Sequence, residues 1–507
     1  MSTNGSSRRS DTPHGHLSVP EATRMAGAAA PGLATSAPAE RAAWLRAVAD
    51  ALDTRVDELA AIADEETALG LPRLTGEVGR TTGQLRLFAG VLEEGSCFEV
   101  VIDHADPDAT PPQPDLRRML HPIGPVAVFA ASNFPFAFSV LGGDTASALA
   151  AGCPVIVKAH PGHPRTSDLT AEIAGSALAR AGAPDGTFAL IHGFDAGREL
   201  VTDPAVRAVG FTGSLGGGRA LFDLAVGRPD PIPFYGELGS LNPVVVTEGA
   251  AAARPDEIAT GLLGSMTLGV GQFCTKPGVV FVPDDERFIT AIRNAADDAR
   301  GGTMLGDRIA EGFGAGLHAL ADHDDVEVVA GDPATSITGR SAAPVVLATG
   351  AAGLSANADA LLTECFGPTT LLVRYGTRAE LLAGLRTLPG SLTATVHAED
   401  AEVDATSELL PLLTEIAGRV IFGGWPTGVA VTWSQHHGGP WPATTAPLHT
   451  SVGATAIGRF LRPVSYQDAP TPWLPPAIRD DNPLGIPQRV DGDLRLPAPT
   501  TADEAGA

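Results

Sequence analysis

The residue whose type and setting point most directly to chemistry is Cys274, in the stretch GVGQFCTKPG. Small residues precede this cysteine and Pro277-Gly278 follow it, and such a backbone lets a thiol project into a cleft. A thiolate is a strong nucleophile when its surroundings lower its pKa towards neutrality. An isolated cysteine is more often a buried structural residue, but the glycine-rich setting favours a nucleophile here.

Two further polar residues could assist a nucleophile. Glu237, in FYGELGSLNP, lies between glycines just before an apolar strand, where a carboxylate could act as a general base; a helix-capping or surface glutamate is the alternative. Asn133, in AASNFPF, follows a buried strand and could donate to a developing oxyanion, an interaction worth about 3–4 kcal/mol in other enzymes. An asparagine in a turn before Pro135 is the alternative at that position.

Three features could bind a phosphorylated ligand. The stretch GSLGGG, residues 213–218, lies between a predicted strand and a predicted helix, and exposed amides at a helix N-terminus favour a phosphate. It does not match GxGxxG with a following acidic residue, so the ordinary dinucleotide fingerprint is missing. Lys158 ends the strand CPVIVK and could reach a ribose or a phosphate, and Glu364 in TECFGP could bind a ribose; surface positions are the alternatives.

Length and composition limit the classes of protein that this chain can be. The 507 residues are too many for one ordinary core, and 34 Lys and Arg against 59 Asp and Glu give a net charge of −25, which repels nucleic acid. The four cysteines, none in a CxxC spacing, indicate neither a metal site nor a disulfide framework. Neither a secretory signal nor an apolar run of about 18 residues is visible, so we expect a cytoplasmic protein without nucleic-acid or membrane partners.

The hydrophobic pattern predicts the elements that must position these residues. Apolar residues from Trp44 to Ile62 recur every three or four positions and predict one helix face, and a second helix is predicted over 77–94. Residues 98–120 surround a Pro-rich break and predict a hairpin with a long loop. From residue 121 to about 435, short apolar strands alternate with helices, which is typical of parallel sheets with right-handed crossovers.

Taken together and in this order, the motifs resemble those of the aldehyde dehydrogenase superfamily. The matching stretches are GPVAVFAASNFPF, AGCPVIVKAHPGHP, VGFTGSLGGGRAL, GELGSLNPVVV, GVGQFCTKPG and ECFGP. Within the superfamily the chain looks most similar to the α-ketoglutarate semialdehyde (2,5-dioxovalerate) dehydrogenases, on the stretches GEVGRTTGQLRLFA, GGWPTGVAV, HHGGPWPATT, SVGATAIGRFLRPVSYQ and IPQRVDGDL. NADP-dependent long-chain aldehyde dehydrogenases share part of this pattern.

The resemblance implies an α/β fold with two Rossmann-like parallel-sheet domains and an oligomerisation hairpin and arm. The corresponding parts of the chain are a disordered tail (1–16), a cofactor-binding domain (17–97 and 121–236), an oligomerisation hairpin (98–120), a catalytic domain (237–435), and a C-terminal return with an oligomerisation arm (436–507). The resemblance also implies a homodimer or a homotetramer.

Roles for individual residues follow from the same resemblance. Cys274 would be the catalytic nucleophile, Glu237 the general base, and Asn133 would form the oxyanion hole with the backbone N–H of Cys274. The cofactor-binding residues would be Lys158, His160, Arg198, Gly213, Ser214, Gly218, Glu364 and Phe366. No metal ion is implied.

One departure from the family pattern bears on the cofactor. NAD-preferring members often carry a glutamate three residues after the lysine, where it accepts hydrogen bonds from the ribose, and this chain has Pro161 there. Without that carboxylate a 2′-phosphate meets no repulsion. We therefore expect NADP as the cofactor, with NAD as the alternative, and Arg198 as a contact of the 2′-phosphate.

The expected reaction is the oxidation of 2-oxoglutarate semialdehyde to 2-oxoglutarate through a cysteine thioester. The predicted substrate-pocket residues are Phe134, Phe138 and Gln272, and no residue that would bind the distal carboxylate is identified.

A broad-range or long-chain aliphatic aldehyde dehydrogenase is the first alternative, since Phe134, Phe136 and Phe138 would suit an apolar tunnel. A CoA-acylating enzyme usually lacks the base glutamate, and a catalytically inactive scaffold homologue would not need the catalytic residues. Further candidates for the pocket, which the sequence leaves unplaced, are His436, His437 and Trp441.

Overall fold

The structure is a computed structural model that describes residues 17–402, 404 and 407–497. The tail predicted over residues 1–16 lies outside the described residues. The α-helices are α1 (Val19–Thr35), α2 (Pro38–Asp53), α3 (Val56–Thr67), α4 (Leu71–Glu94), α5 (Gly143–Ala151), α6 (Pro164–Arg180), α7 (Phe194–Thr202), α8 (Leu215–Val226), α9 (Glu248–Ala253), α10 (Pro255–Thr267), α11 (Glu286–Asp298), α12 (Asp307–Ala321), α13 (Ala351–Ala356), α14 (Ala358–Leu361), α15 (Arg378–Leu385) and α16 (Leu409–Ile416). The β-strands are β1 (Val101–Asp103), β2 (Leu116–Pro122), β3 (Val126–Phe129), β4 (Val155–Lys158), β5 (Phe188–Ile191), β6 (Ala208–Thr212), β7 (Phe234–Glu237), β8 (Val244–Val246), β9 (Val279–Pro283), β10 (Gly302–Thr303), β11 (Glu327–Ala330), β12 (Ile337–Thr338), β13 (Ser341–Ala342), β14 (Val345–Gly350), β15 (Thr369–Tyr375), β16 (Ser391–His397), β17 (Ala417–Phe422), β18 (Leu461–Gln467), β19 (Gln488–Val490) and β20 (Asp493–Arg495).

A five-stranded parallel sheet forms first along the chain, in the order β5-β4-β3-β6-β7. Its strands are short runs of apolar residues, such as VAVF in β3 and VIVK in β4, as expected for a sheet that helices cover on both faces. The chain leaves β3 towards β4 and β5 and later returns on the other side with β6 and β7. Because ligands bind at the carboxyl ends of the strands where the order reverses, the boundary between β3 and β6 is the expected crevice.

A seven-stranded sheet follows, in the order β11-β14-β15-β9-β8-β16-β17. Its neighbouring strands are parallel except for β11 and β14 at one edge, which are antiparallel. Helices α10 and α11 cover one face through a buried apolar cluster that includes Leu262, Phe288 and Ile289. The two parallel sheets with their crossover helices confirm the predicted α/β, Rossmann-like fold class.

A third sheet joins the segment around residues 98–120 to the C-terminal part of the chain. β1 and β2 pair antiparallel, and the C-terminal strands extend this pair on both sides, in the order β18-β2-β1-β19-β20. Ile478, Ile486 and Val490 of the C-terminal segment are buried in the same apolar core as the first helices. The C-terminal segment is therefore an integral part of the fold. A small antiparallel sheet, in the order β10-β13-β12, completes the strands described.

The N-terminal helices differ in two places from the pattern predicted from the sequence. The apolar face from Trp44 to Ile62 is divided between α2 and α3, because α2 ends at Asp53 and the hydroxyl of Thr54 bonds back to a carbonyl of its last turn. The helix predicted over 77–94 is α4, which begins earlier, at Leu71. In the part of the chain that the structure describes, no helix is both long enough and apolar enough to cross a membrane.

The turn that follows α10 requires glycine at one position. Gly271 has a φ of +67°, a left-handed conformation that L side chains rarely adopt, and a Cβ there would overlap the carbonyl group of Gly367. The backbone that leads to Cys274 therefore packs directly on the segment that contains Glu364. Glycine at this position lets the two backbones approach each other.

We expect the variant Gly271→Ala to lose about 2–5 kcal/mol of unfolding free energy, because it combines a strained φ with overpacking against backbone. The measurement is urea denaturation followed by tryptophan fluorescence. Gly264→Ala is the matched control, since Gly264 is exposed in α10 with open space at its Cβ position, and alanine there should stabilise the helix by about 0.5–1 kcal/mol. If Gly271→Ala is as stable as the wild type, the close contact between the backbones at Gly271 and Gly367 is contradicted.

Candidate active site

Cys274 lies in the turn between α10 and β9, and Asn242 holds the backbone of that turn. The Nδ2 of Asn242 donates to the carbonyl oxygens of Cys274, at 2.8 Å, and Lys276, at 2.9 Å. Its Oδ1 accepts hydrogen bonds from the hydroxyls of Ser240 and Thr393. Asn242 is absent from the residues predicted above, although the motif SLNP just after the candidate base contains it.

Lys276 ties the same turn to the segment that precedes β15. Its ammonium group is buried, and it donates to the carbonyl oxygens of Cys365, at 2.9 Å, and Thr369, at 2.7 Å. The turn is thus fixed on one side by an amide and on the other by a buried cation. A nucleophile on this turn has a defined position before any ligand binds.

Three side chains able to take part in catalysis meet beside this turn. Glu237 is the last residue of β7; its Oε1 lies 2.9 Å from Nε2 of His437, and its Oε2 accepts a 2.7 Å hydrogen bond from the hydroxyl of Ser451. The same Nε2 lies 3.6 Å from the Sγ of Cys274. The carboxylate, thiol and imidazole atoms all lie within 4.8 Å of one another, and these ligand types could also hold Zn²⁺. The structure thus brings the predicted nucleophile and the predicted base together.

His437 and Ser451 come from the C-terminal return. His437 is among the unplaced pocket candidates named above, without a contact to Glu237, and Ser451 is absent from the residues predicted from the sequence. The N–H of Leu238, next to Glu237, donates to the carbonyl of Ala443 at 2.8 Å and holds this segment against the end of β7. The available signal is the paired histidines of HHGGPWP and the short motif SVG, both in stretches that carry the family resemblance. Nothing in their spacing from Cys274 indicates contact, because the contact is tertiary.

Burial opposes the charged forms of both acids in this cluster. Burial alone would raise the pKa of Glu237, but attraction to His437 and hydrogen bonds from His437 and Ser451 outweigh it, so the pKa is lowered. Burial raises the pKa of the Cys274 thiol well above its usual range, and the adjacent carboxylate of Glu237 adds to the rise. In the resting site the proton therefore stays on sulfur while the carboxylate is ionised, and an acceptor for the thiol proton lies ready beside it.

A small polar cavity lies behind the carboxylate. It is lined by Tyr235, Glu237, His437, His449 and Ser451 among others, and its volume of about 20 Å³ is enough for roughly one water molecule. A water molecule at this place would contact the carboxylate that the cluster keeps ionised. The cavity therefore suits a hydrolytic step.

Asn133 is buried in the loop after β3 and reaches the turn of the nucleophile. Its Nδ2 donates to the carbonyl oxygen of Gln272, two residues before Cys274, at 2.9 Å. Gln272, predicted as a pocket residue, uses both polar side-chain atoms on backbone partners: Nε2 donates to the carbonyl of Gly269, and Oε1 accepts from the N–H of Leu305, each at 3.0 Å. Gln272 therefore stabilises the turn through backbone contacts. The side-chain amide of Asn133 is the group near the turn that could donate a hydrogen bond to a ligand.

The aromatic residues predicted for the pocket do not all face it. The rings of Phe134 and Phe138 lie 5.3 Å apart between centroids, and Phe138 lies 6.3 Å from the ring of His437. Phe136 is buried in the core beneath the N-terminal helices instead. Of the three phenylalanines considered for an apolar tunnel, Phe134 and Phe138 thus form an apolar wall beside the cluster. Trp441 is 47% exposed and lies outside this group.

The glycine-rich stretch 213–218 connects β6 to α8 at the carboxyl end of the first sheet. The N–H of Gly213 donates to the carbonyl of Glu237 at 3.0 Å, and Ser214 is the N-cap of α8, its hydroxyl accepting from the first helical turn. Gly218 is buried, and a Cβ there would overlap the side chain of Leu238, so glycine lets the helix approach β7. The first amides of α8 are exposed beside the crevice, where they favour a phosphate.

Lys158, His160 and Arg198 lie on the β4–β5 side of the same sheet. Lys158 ends β4, and burial lowers its pKa; a Cβ at Gly197 would contact its stem. His160 stacks on His163 with ring centroids 5.4 Å apart, and burial lowers its pKa to about 3, so it is neutral. Arg198 is exposed on α7. These residues flank the crevice opposite the nucleophile.

Glu364 and Phe366 lie in the segment that leads into β15. The carboxylate of Glu364 lies against the backbone of Gly239, two residues after Glu237. A Cβ added to Gly239 would overlap that carboxylate. Burial raises the pKa of Glu364 to about 7, against the opposing effect of Lys276. Phe366 is half-buried in the same segment. An exposed helix start, a lysine and a glutamate around one crevice are groups that could hold a nicotinamide dinucleotide.

Comparison with known proteins adds the following matches. The model of the Aldehyde dehydrogenase family matches residues 14–408. Alpha-ketoglutaric semialdehyde dehydrogenase 2 of Azospirillum brasilense is 49% identical over 461 residues, which cover 90% of this chain and 87% of that protein. Alpha-ketoglutaric semialdehyde dehydrogenase of Acinetobacter baylyi is 44% identical over 459 residues, with the same coverage of 90% and 87%.

Two solved structures have the same fold. An NADP dependent enzyme of E. coli superposes with a TM-score of 0.75 at 24% identity, covering 89% of this chain and 90% of that one. A NAD-dependent aldehyde dehydrogenase from Sinorhizobium meliloti superposes with a TM-score of 0.73 at 23% identity, covering 90% and 88%. At this level of identity the likeness shows the fold alone.

We expect Glu237→Gln to lower the pKa of the Cys274 thiol, because the substitution removes the negative charge that opposes the thiolate. The measurement is the rate of iodoacetamide alkylation against pH, whose midpoint should move to lower pH. Glu311→Gln, an exposed glutamate of α12, is the control and should leave the midpoint unchanged. A midpoint that stays in place or rises in Glu237→Gln would contradict the proposed coupling.

Proposed function

Because this chain belongs to the aldehyde dehydrogenase family, we propose that it oxidises 2-oxoglutarate semialdehyde to 2-oxoglutarate through a thioester on Cys274. Family membership confirms the resemblance inferred from the motifs and brings with it the oxidation of aldehydes to carboxylates by NAD or NADP. The choice of substrate is supported by the two relatives named for that semialdehyde. The observation that carries the mechanism is the buried cluster in which Cys274, Glu237 and His437 lie within 4.8 Å of one another.

The side chains of this cluster divide the reaction between them. The proton of Cys274 passes to Glu237 as sulfur attacks the aldehyde carbon, and the amide of Asn133 with the backbone N–H of Cys274 stabilises the oxyanion. Loss of hydride turns this adduct into a thioester, and the acceptor of the hydride is the nicotinamide ring when the cofactor is bound. Glu237 releases the thiol proton to solvent and, ionised again, takes a proton from the water that attacks the thioester carbon. As the carbon–sulfur bond breaks, the Cys274 sulfur recovers a proton from Glu237, and the acid product ionises to the carboxylate. His437 holds the carboxylate in place throughout.

The cofactor that this proposal favours is NADP. Pro161 stands where a carboxylate would repel a 2′-phosphate, and Lys158 and the exposed Arg198 supply positive charge on the same side of the crevice. Ser214 and the start of α8 would hold the pyrophosphate. Glu364 would hold the ribose next to the nicotinamide.

The alternative functions would each require different features of this site. A broad-range or long-chain aldehyde dehydrogenase would need an apolar tunnel beside Phe134 and Phe138. A CoA-acylating enzyme would not need an ionised base beside the thioester, and Glu237 is such a base. A scaffold without activity would not require the three reactive groups to converge in a buried site.

The third sheet is the surface that we propose for assembly into a homodimer or homotetramer. β20 lies at its edge, where Leu494 and Leu496 are 59% and 71% exposed. An exposed edge strand with apolar side chains is a template for pairing with a second copy. Sedimentation of the purified protein tests this assembly, and a stable monomer would contradict it.

The substrate and the cofactor are tested together by kcat/KM for the semialdehyde and for hexanal, each with NADP and with NAD. We expect a preference of about tenfold or more for the semialdehyde, since an acidic substrate gains polar contacts that hexanal lacks, and a preference for NADP. A preference for hexanal would favour the long-chain alternative. A large preference for NAD would overturn the inference from Pro161.

Because Cys274 and Glu237 act in different steps of the proposed reaction, substitution of each should have a different effect on turnover. Cys274→Ala should form no product. In Glu237→Gln the thiol, with the lower pKa expected above, loses its proton to solvent, so the variant should release about one equivalent of reduced cofactor and then turn over about 10²- to 10⁴-fold more slowly, because an unassisted water must hydrolyse the thioester. The measurement is stopped-flow absorbance of the reduced cofactor. Cys97→Ser is the control, since Cys97 lies next to α4, away from the cluster, and its activity should match the wild type. Full turnover by Cys274→Ala would refute the assignment.

A further inference from the structure

Arg80 is a cation beside the catalytic cluster whose hydrogen-bonding capacity is not used. Its Nε and Nη2 atoms are buried and have no hydrogen-bond partner among the described residues. A buried guanidinium without a partner is unfavourable, and an anion bound to it relieves that cost. The side chain belongs to α4, in the stretch GRTTGQLRLF, and the mechanism above gives it no role.

The position of Arg80 is fixed by aromatic rings that continue to the nucleophile. Its guanidinium carbon lies 5.3 Å from the ring centroid of Phe138 and 5.7 Å from that of Phe134. Phe138 lies against His437, whose Nε2 is 3.6 Å from the Sγ of Cys274. Burial lowers the pKa of Arg80, and the negative charges of Glu77, Cys274 and Glu237 oppose that effect. Burial likewise raises the pKa of the Cys274 thiol, and Arg80 opposes that rise. The cation is therefore within electrostatic reach of the reacting sulfur.

The neighbouring charges on α4 do not neutralise this cation by direct contact. The Oε1 of Glu77 accepts two backbone hydrogen bonds, at 2.9 and 3.0 Å, from the loop that holds Phe138. Its Oε2 has no hydrogen-bond partner among the described residues, and neither do Nε and Nη2 of Arg80, so no hydrogen bond joins these atoms. Arg73, two turns before Arg80 on the same face, donates its Nη2 to the carbonyl of Asn133 at 2.6 Å. Arg73 thus supports the loop after β3 that contains Asn133, and Arg80 remains without such a partner among the described residues.

Arg419 is another guanidinium that interacts electrostatically with Cys274, but both of its Nη atoms are engaged, and among the described residues its buried Nε alone lacks a hydrogen-bond partner. Its Nη1 donates to the carbonyl of Gly428 at 2.8 Å, and its Nη2 donates to the carbonyl of Pro426 at 2.7 Å. These bonds hold the loop after β17. Arg80 is therefore the better candidate for a ligand contact.

We propose that Arg80 binds the distal carboxylate of the aldehyde substrate through the adjacent N–H groups of Nε and Nη2. The inference rests on the proposed function, which requires an acidic aldehyde. Two N–H groups on one edge of a planar guanidinium match the two oxygens of a carboxylate. A chain with a net charge of −25 repels an anionic substrate, so a local cation is needed where the acid binds. The rings of Phe134 and Phe138 would contact the carbon chain between the two ends.

The test compares kcat/KM of Arg80→Met and Arg80→Lys for two acidic aldehydes, the semialdehydes of 2-oxoglutarate and glutarate, and for uncharged pentanal. We expect Arg80→Met to lose about 10- to 150-fold on both acids, mainly through KM, and less than about threefold on pentanal. Arg80→Lys should lose less, because it keeps the charge without the paired N–H groups. Arg86→Met is the control on the same helix, where Arg86 pairs at the surface with Asp50 and Asp53, and it should change neither rate.

Several outcomes would overturn the proposal. Equal losses on acids and on pentanal in both variants would show that Arg80 only supports the aromatic loop, and unchanged rates on acids would show that it binds no carboxylate. If Arg80→Met does not fold, Arg80→Lys decides, since a selective loss on acids then still supports the contact. A wild type that prefers the semialdehyde of glutarate to that of 2-oxoglutarate, with Arg80→Met still losing selectively on both acids, would overturn the proposed substrate and leave this inference intact.

Discussion

The contact between Glu237 and His437 joins parts of the chain that are 200 residues apart, and the geometry of the site depends on it. Both side chains are buried, so if either moved, the other would lose this hydrogen bond and could not replace it with bulk water. The carboxylate is thereby fixed at the end of β7, beside the thiol of Cys274. The Glu237–His437 contact forms only when the C-terminal return is folded against the first sheet, because that segment contains His437. The first sheet and the chain's last part are coupled by one buried pair.

Burial gives this cluster its chemistry as well as its rigidity. A low-dielectric site makes every charge dependent on its neighbours. The thiol keeps its proton and the carboxylate loses its own, so the group that must accept a proton is ionised before the substrate arrives. The same environment makes an unpaired guanidinium such as Arg80 costly, which favours an acidic ligand. A chain that is strongly anionic as a whole thus holds positive charge where a carboxylate would be recognised.

The fold supplies the positions in which these groups act. The carboxyl ends of β3, β6 and β7 bring the loop with Asn133, the start of α8 and Glu237 to one edge of the first sheet. The turn before β9 brings the nucleophile to the same place from the second sheet. Close backbone contacts hold the pieces together, such as that between Gly271 and Gly367, where any side chain would intervene. Members of this fold family differ in substrate because the side chains around this edge differ.

The fold class, the family and the candidates Cys274, Glu237 and Asn133 follow from the sequence alone, because local patterns carry them: apolar strands alternating with helices, and reactive residues within short glycine-rich motifs. The distant residues that join these candidates become visible in the folded chain. His437 and Ser451 are far along the chain, Asn242 acts on backbone atoms, and the partners of Gln272 lie in a turn. Arg80 falls in a helix pattern that has no local sign of chemistry, and its importance comes from buried atoms without partners. Contacts across hundreds of residues leave no periodicity in a single sequence.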